Sequence, residues 1–459
     1  MLGSGVVIKL LENVNNVVWG IPALVLILGV GVYLTVRTRF AQFRLFPRAL
    51  SLFFRQLSGR KNKKGGVSSY QALCTALAAT VGTGNLAGVA GAIALGGPGA
   101  IFWMWICALF GMVTKFAEVT LAISYRKRNN RGEYVGGPMY MIQNGMGEKW
   151  KWLASVYCFF GVVASFGVGN ATQINTVIGG MNTAISSLGG MPNSLGNILM
   201  GIGLAVLITT MLLGGAKKIG TVAEKLVPFA SAGYLLLGMA VLLLRFQAIP
   251  KAFSMIIAGA FSPRAVTGGM LGSAFAALRI GASRGVFTNE AGMGTASIAH
   301  ASADVEHPVE QGLMGIVEVF LDTIVICTMT ALVILCSGVP IPYGKDVGVT
   351  LAADAFSAVC GQWVCIPIAL ALCCFALATV LGWGLYGIRC AEYLFGENAW
   401  KGFALAQGAM VLVGAVMNTQ TVWMLSECVN GLMAIPNLLA LAFLGAKLLP
   451  RIREYSGKA

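Results

Sequence analysis

Long apolar runs follow one another along almost the whole chain, separated by short polar connections. A helix needs about 20 apolar residues to cross the hydrocarbon core of a bilayer. Backbone at that depth must satisfy its own hydrogen bonds, and these runs are too continuous for the alternating strands of a membrane barrel. The pattern therefore predicts an all-α polytopic membrane protein with eleven transmembrane helices, at residues about 17–36, 68–95, 98–125, 152–175, 195–215, 222–245, 267–299, 311–338, 363–390, 401–418 and 424–449.

Composition and charge placement support this prediction and orient the helices. The 459 residues are 57% hydrophobic and only 11% charged, too few charges to cover a soluble protein of this length. With the N-terminus outside, 24 of the 32 Lys and Arg residues fall on one face of the membrane and five on the other. Because cytoplasmic connections carry such an excess, we predict a multi-pass protein of the plasma membrane (a bacterial inner membrane) with its C-terminus in the cytoplasm. The net charge of +15 then reflects orientation, and we expect no nucleic-acid partner.

Residues 39–55 alternate Phe and Leu with Arg, a pattern typical of a segment that lies in the inner lipid interface. The 11 cysteines are scattered through apolar runs without a CxxC pair, and two histidines are too few for a metal cluster. We therefore expect membrane lipid as a partner, no cofactor, and no enzymatic activity.

The second predicted helix carries TVGTGN, residues 80–85, in its middle. Glycine and β-branched residues weaken a helix, so an interruption at mid-membrane is expected. Unwound backbone there exposes carbonyls suited to a cation and amides suited to an anion such as a carboxylate. Helix packing through small residues is the alternative explanation for glycine pairs alone.

A second interruption is predicted in the seventh helix, at Gly285 to Gly294, which includes Asn289 and Glu290. Asn85 and Asn289 are 204 residues apart, as expected for five-plus-five inverted repeats that each open with a broken helix. We predict a single membrane transport domain over residues 1–459. Residues 1–66 form an extra helix and a basic segment, 67–245 the first repeat and 246–450 the second.

Polar residues inside membrane helices are functional candidates. Lys115 and Glu118 are three residues apart and are expected to form an ion pair across a helix face. Asp322 could be a cation or proton site, or could join helices by hydrogen bonds. Thr379 and Trp383 share a helix face, so a hydroxyl could coordinate a cation while an indole closes a small pocket.

Several long motifs resemble the alanine or glycine:cation symporter family, also called the sodium:alanine symporters. They are TVGTGN, GGPGAIFWMW and GMVTKFAE in the first half, then RGVFTNEAGMG, LDTIVICTMTALVI and LGWGLYGIRCAEYLFG. The similarity runs from about residue 17 to 450. It implies a leucine-transporter-like fold of the APC superfamily, with ten helices plus one, and symport of a small neutral amino acid, alanine or glycine, with Na⁺.

The resemblance also implies site residues in this chain. The unwound stretch from Thr80 to Gly84 resembles the sodium-binding stretch of that fold. Substrate contacts would come from Gly82, Thr83, Gly84, Asn85, Gln173, Asn289, Thr379 and Trp383. Sodium would use the first break and the ninth helix, at Ala78, Thr80, Val81 and Thr379. The family usually has Ser-Thr where this chain has Ala378-Thr379, so one hydroxyl ligand is missing.

These features predict Na⁺-coupled import of a small neutral amino acid by a monomer, with Gln173 closing the outer end of the fourth helix. The alternative is H⁺-coupled symport of a small amino acid or related amine, through Glu290, Asp322 or the pair formed by Lys115 and Glu118. A channel would need filter loops repeated around an axis, whereas GTGN occurs once.

Overall fold

The computed structural model describes residues 14–15, 18–57, 66–187, 189–261, 274–345, 347–417 and 420–457. Apart from one short antiparallel pair, β1 (Lys127–Arg128) and β2 (Tyr134–Val135), the described elements are helices. In the first half these are α1 (Ile21–Arg37), α2 (Phe46–Leu57), α3 (Ser69–Thr80), α4 (Val89–Gly96), α5 (Gly99–Ser124), α6 (Lys151–Phe166), α7 (Thr172–Ser187), α8 (Ser194–Leu212) and α9 (Gly215–Leu244).

The second half is also mostly helical. Its helices are α10 (Ile249–Phe261), α11 (Ala274–Asn289), α12 (Thr295–His300), α13 (Pro308–Val319), α14 (Thr328–Ser337), α15 (Thr350–Cys360), α16 (Cys365–Phe395), α17 (Ala399–Val416), α18 (Gln420–Leu444) and α19 (Leu448–Gly457). Wider π-helical turns lie at Gly84–Gly88, Met141–Met146, Gly167–Ala171 and Phe320–Cys327.

In the described part of the chain, eight helices are long and apolar enough to cross a membrane, and nine if the bent pair α3 and α4 counts as one span. Shorter apolar helices include residues 22–37, near the first predicted span. The chain is therefore a mostly helical multi-pass protein. The count of eleven spans and the inverted repeat stay predictions.

Three sequence predictions need correction. The fourth span does not end at Gln173, because the helix passes through the π-helical turn at Gly167–Ala171 and continues to Ser187. The seventh helix stays regular through Asn289, so its break is shorter than predicted, and residues 267–273 of that span lie outside the described residues. Helices α10 and α15 were missed because 13 and 11 residues are too few to cross the hydrocarbon core.

The first broken helix lies between two groups of helices. Helix α5 packs along α11 and α13, whereas α16 packs along α6, α7 and α9. Helix α3 contacts α9 and α16 of the second group and α13 of the first, and also α12. The interruption after α3 is therefore placed where the two groups meet.

The loop between β1 and β2 is joined to the last turns of α16 by four charged side chains. Arg389 donates to Glu133 at 2.9 Å and to Glu392 at 2.7 Å, and Arg131 donates to Glu392 at 2.5 Å. Burial alone would raise the pKa of Glu133, but Arg389, Asn129 and Arg131 together outweigh it and hold that pKa below the ordinary glutamate value of 4.5. The ion pairs thus bind the hairpin to the membrane domain.

We expect Glu133→Gln to lower stability at pH 7 by about 1 kcal/mol, the upper range for partly exposed pairs. Because the pKa is lower in the folded state, this stabilisation is complete above the unfolded value of 4.5 and is lost as pH falls through the folded value. Thermal unfolding of both proteins across pH measures the difference. The matched control is Glu148→Gln, whose carboxylate accepts from the neutral amide of Gln143. A wild-type advantage that stays constant into acid would contradict the ion-pair explanation.

Candidate functional site

The predicted interruption at residues 80–85 is present. Ser68 and Gln71 form a reciprocal capping box that fixes the start of α3, and the helix ends at Thr80. Val81 has an extended backbone, and helical geometry resumes at Gly84 after a bend of 52°. The last carbonyls of α3 and the first amides of the helical segment that starts at Gly84 therefore lack regular helical partners at this point.

Asn85 joins the two ends of the interruption to each other and to Asp322 by hydrogen bonds. Its Oδ1 accepts from the amide of Gly82 at 2.9 Å, and its Nδ2 donates to the Asp322 carboxylate at 2.7 Å. The same Nδ2 also lies 3.3 Å from the sulfur of Cys327. All three side chains are buried, so Asp322 is a hydrogen-bonded partner of the first break.

The same acidic residue connects to the second break. Thr323 donates to the other Asp322 oxygen at 2.8 Å and accepts from Asn289 Nδ2 at 3.1 Å. Asn289 Oδ1 in turn accepts from the amide of Ala291 at 3.0 Å. A continuous chain of hydrogen bonds therefore joins the amide of Gly82 to the amide of Ala291. The two interruptions, far apart in sequence, meet at Asp322 and Thr323.

The second break, at residues 290–294, uses unusual backbone. Gly292 and Gly294 have φ of 96° and 78°, and Glu290 has φ of 54°. Glu118 Oε1 accepts from the amides of Gly292 and Gly294 at 2.8 and 3.1 Å, and from Asn437 Nδ2 at 2.7 Å. A carboxylate can compensate several amides left without helical partners in this way. Glu118 therefore fixes the shape of the unwound backbone.

The predicted ion pair of Lys115 with Glu118 is wrong. Lys115 Nζ instead lies 3.3 Å from Glu318 Oε1, and both side chains are fully buried. Glu318 also binds His300 Nε2 at 2.9 Å. The prediction failed because it compared residues on one helix, whereas the partner lies on α13 and packs against α5.

Thr379 brings α16 to the first break. The hydroxyl of Thr379 donates to the carbonyl of Ala78 at 3.0 Å. It is equally close to the carbonyl of Phe375. A Cβ on Gly82 would lie 2.7 Å from the same hydroxyl, so this approach requires glycine. Two oxygens that suit a cation, from Ala78 and Thr379, are thus adjacent. Thr80 was predicted to bind sodium, but its hydroxyl donates to the carbonyl of Ala76 in the same helix.

Gln173 and Trp383 complete the set of predicted residues. Thr83 donates to Gln173 Oε1 at 3.3 Å, and Gln173 donates to the carbonyl of Val168 at 3.1 Å. Trp383 is buried against Gly169, and a Cβ added to Gly169 would overlap the Cβ of Trp383. Gly84 faces Thr288, next to Asn289. The structure therefore brings the predicted residues of both breaks close to those of the fourth and ninth spans.

Sequence reasoning missed Glu318, His300 and the bridging role of Thr323. Each is a polar residue fully buried in the described helices. The signal was available, because any polar residue inside a membrane span is a functional candidate. Their partners lie on other helices, so spacing along the chain gave no indication of them.

Broken membrane helices that meet at a buried polar centre define a secondary transporter. The comparison with families agrees: a model described as the sodium:alanine symporter family matches residues 4–459. The chain belongs to the sodium:alanine symporter family, and it is a transporter, not an enzyme.

Comparisons with individual proteins agree with the family match. The sodium/alanine symporter AgcS of Methanococcus maripaludis is 42% identical over 456 residues, covering 98% of this chain and 97% of that protein. The amino-acid carrier protein AlsT of Bacillus subtilis is 38% identical and covers 91% and 86%. Among solved structures, MhsT in complex with L-phenylalanine has a TM-score of 0.60 at 15% identity and covers 83% and 90%. This similarity supports the predicted fold.

Proposed function

We propose that the protein imports alanine or glycine together with Na⁺ by alternating access across the plasma membrane, as a monomer with its N-terminus outside. The observation that carries the proposal is the hydrogen-bonded junction of the two broken helices at Asp322, beside Thr379. The family membership and the printed name of AgcS support sodium as the ion and alanine as a substrate.

In this proposal the two ligands share the first break. The substrate carboxylate binds amides at the start of the second half-helix, around Gly82 to Asn85, where the helix dipole favours an anion. Its ammonium meets carbonyls or the amide oxygens of Asn289 and Gln173, and Trp383 limits the side chain to a small group. Sodium binds the carbonyls of Ala78 and Val81, one on each side of Thr80, and the hydroxyl of Thr379, which turns its lone pairs toward the ion.

Coupling follows from electrostatics. A membrane potential contributes about 2.3 kcal/mol per charge per 100 mV, and a zwitterion of zero net charge responds only through the cation bound beside it. Because both ligands bind at one interrupted helix, transport of the substrate is coupled to transport of the sodium ion. Rocking of one helix group against the other would then alternate access.

Proteoliposomes with an inward Na⁺ gradient test the proposal. We expect alanine or glycine uptake to exceed that with choline outside by roughly tenfold or more, since the gradient and potential both act through the ion. Equal uptake in choline would exclude sodium coupling. Acid-driven uptake without Na⁺ that is lost in Asp322→Asn would favour the H⁺-coupled alternative.

A further inference from the structure

Glu290 occupies the second break in a way that packing does not require. Its φ of 54° lies in the left-handed region, which strains a residue with a side chain and which glycine adopts freely. Its side chain is nevertheless buried, with 4% of its surface exposed. An ionisable side chain held in a strained backbone and away from water indicates a functional role.

The carboxyl group of Glu290 has a neutral hydrogen-bond partner, while the charge of Lys115, which is paired with Glu318, also acts on it. Thr295 Oγ1 donates to its Oε2 at 2.5 Å. The other acids nearby are better compensated. Glu118 accepts from three donors, and Glu318 is paired with Lys115 and His300.

His300 lies between Gln311 and Glu318. Gln311 Nε2 donates to the carbonyl of Ser69 at 3.2 Å and lies 2.7 Å from His300 Nδ1, and His300 Nε2 lies 2.9 Å from Glu318 Oε2. Even if His300 is counted as a base, the cluster holds more acids than bases.

The buried acids therefore outnumber the buried bases around the second break. Within the described residues of this cluster, Lys115 is opposed by four fully or almost fully buried carboxyl groups, those of Glu118, Glu290, Glu318 and Asp322. An unpaired charge away from water is strongly destabilising. One sodium ion would compensate only one of the excess charges, and Glu290 has the weakest partners among the four.

We infer that Glu290 binds a proton in this buried position and exchanges it with water during the transport cycle. The inference rests on the proposed sodium-driven function and adds a second coupled ion. A hydronium ion in the aqueous path gives its proton to a carboxylate oxygen of Glu290 and becomes water, and the reverse step releases the proton on the opposite side.

Two features make Glu290 suitable for this role. The hydroxyl of Thr295 can donate to a carboxylate and accept from a carboxylic acid, so it serves both protonation states. Glu290 directly follows Asn289, a proposed substrate ligand, so substrate binding can change the environment of the proton. The other titratable groups that face Glu290 from the packed helices are Lys115 and Glu118 on α5, Tyr157 on α6, Glu318 on α13 and Tyr386 on α16.

Proteoliposomes that contain a pH-sensitive dye test the inference. With an inward Na⁺ gradient and no imposed potential, alanine entry should change the lumenal pH in step with uptake, and the sign gives the direction of proton movement. Sodium-driven uptake without any pH change would overturn the inference and leave the proposed function intact. Absence of sodium-driven uptake in wild type would instead overturn the proposed function.

Variants locate the proton. Glu290→Gln should lose the pH change that accompanies uptake, and the uptake that it retains should vary less than about twofold between pH 5.5 and 8, against several-fold in wild type. Glu306→Gln, at an exposed position, is the matched control. Thr295→Val, which removes the hydroxyl but not the acid, should shift the pH profile. A pH change that persists in Glu290→Gln would assign the proton elsewhere and refute the role of Glu290.

Discussion

Replacing Asn85 by alanine is expected to reduce sodium-driven alanine uptake by roughly tenfold or more. The change removes the acceptor of the Gly82 amide and a donor to the Asp322 carboxylate, both inside the protein. Each buried polar group left without a partner costs about 1–3 kcal/mol, and about 1.4 kcal/mol is a factor of ten. Initial uptake rates measure the loss, together with the thermal stabilisation that alanine and Na⁺ give to the purified protein.

Two further variants make the result specific. Asn398→Ala alters an exposed asparagine that caps α17 without a side-chain hydrogen bond, and it should transport like wild type. Asn85→Asp places a second carboxylate against Asp322, so its loss should be at least as large as that of Asn85→Ala. Uptake within about twofold of wild type in Asn85→Ala would show that the link to Asp322 is dispensable, since a lost buried bond predicts far more.

The second large effect concerns Gly169→Ala. Gly169 lies in the π-helical turn beside the indole-bearing residue Trp383, and an added methyl group would overlap the Cβ of that residue. Forcing extra volume into a packed region costs about 1–3 kcal/mol, so Trp383 must move. We expect alanine uptake to fall by roughly tenfold, because the indole would be displaced from the pocket it is proposed to close.

Gly179→Ala is the matched control for this substitution. Gly179 lies on α7, and a Cβ there would meet nothing within 4 Å. The control should retain both stability and uptake. If Gly169→Ala loses thermal stability but keeps the wild-type concentration dependence for alanine, Trp383 packs the fold without defining the pocket.

Local signals explain what the sequence predicted well. Glycine next to β-branched residues weakens a helix wherever it occurs, so the break after Thr80 could be located from composition alone. The second break was placed too early, because Gly285 lies in a regular helix that packs closely on Met104. There the tertiary contact overrides the local preference of glycine.

Long-range contacts explain what could not be predicted. Glu118 compensates the amides of Gly292 and Gly294, about 175 residues away, and no spacing rule connects them. The junction through Thr323 likewise depends on how α13 and the following π-helical turn lie between the two broken helices. Sequence marks such residues as polar and intramembrane, and only the packed helices assign their partners.

The bond between Asn85 and Asp322 restricts how the protein can move. Inside hydrocarbon no water replaces a broken hydrogen bond, so the two interrupted helices and the bridge between them should travel as one body. The contact of Thr379 with Ala78 is different, because a sodium ion between the two oxygens can take the place of the proton that now joins them. The sodium ion itself would then hold α16 against α3, and release of the ion would weaken the contact between these two helices.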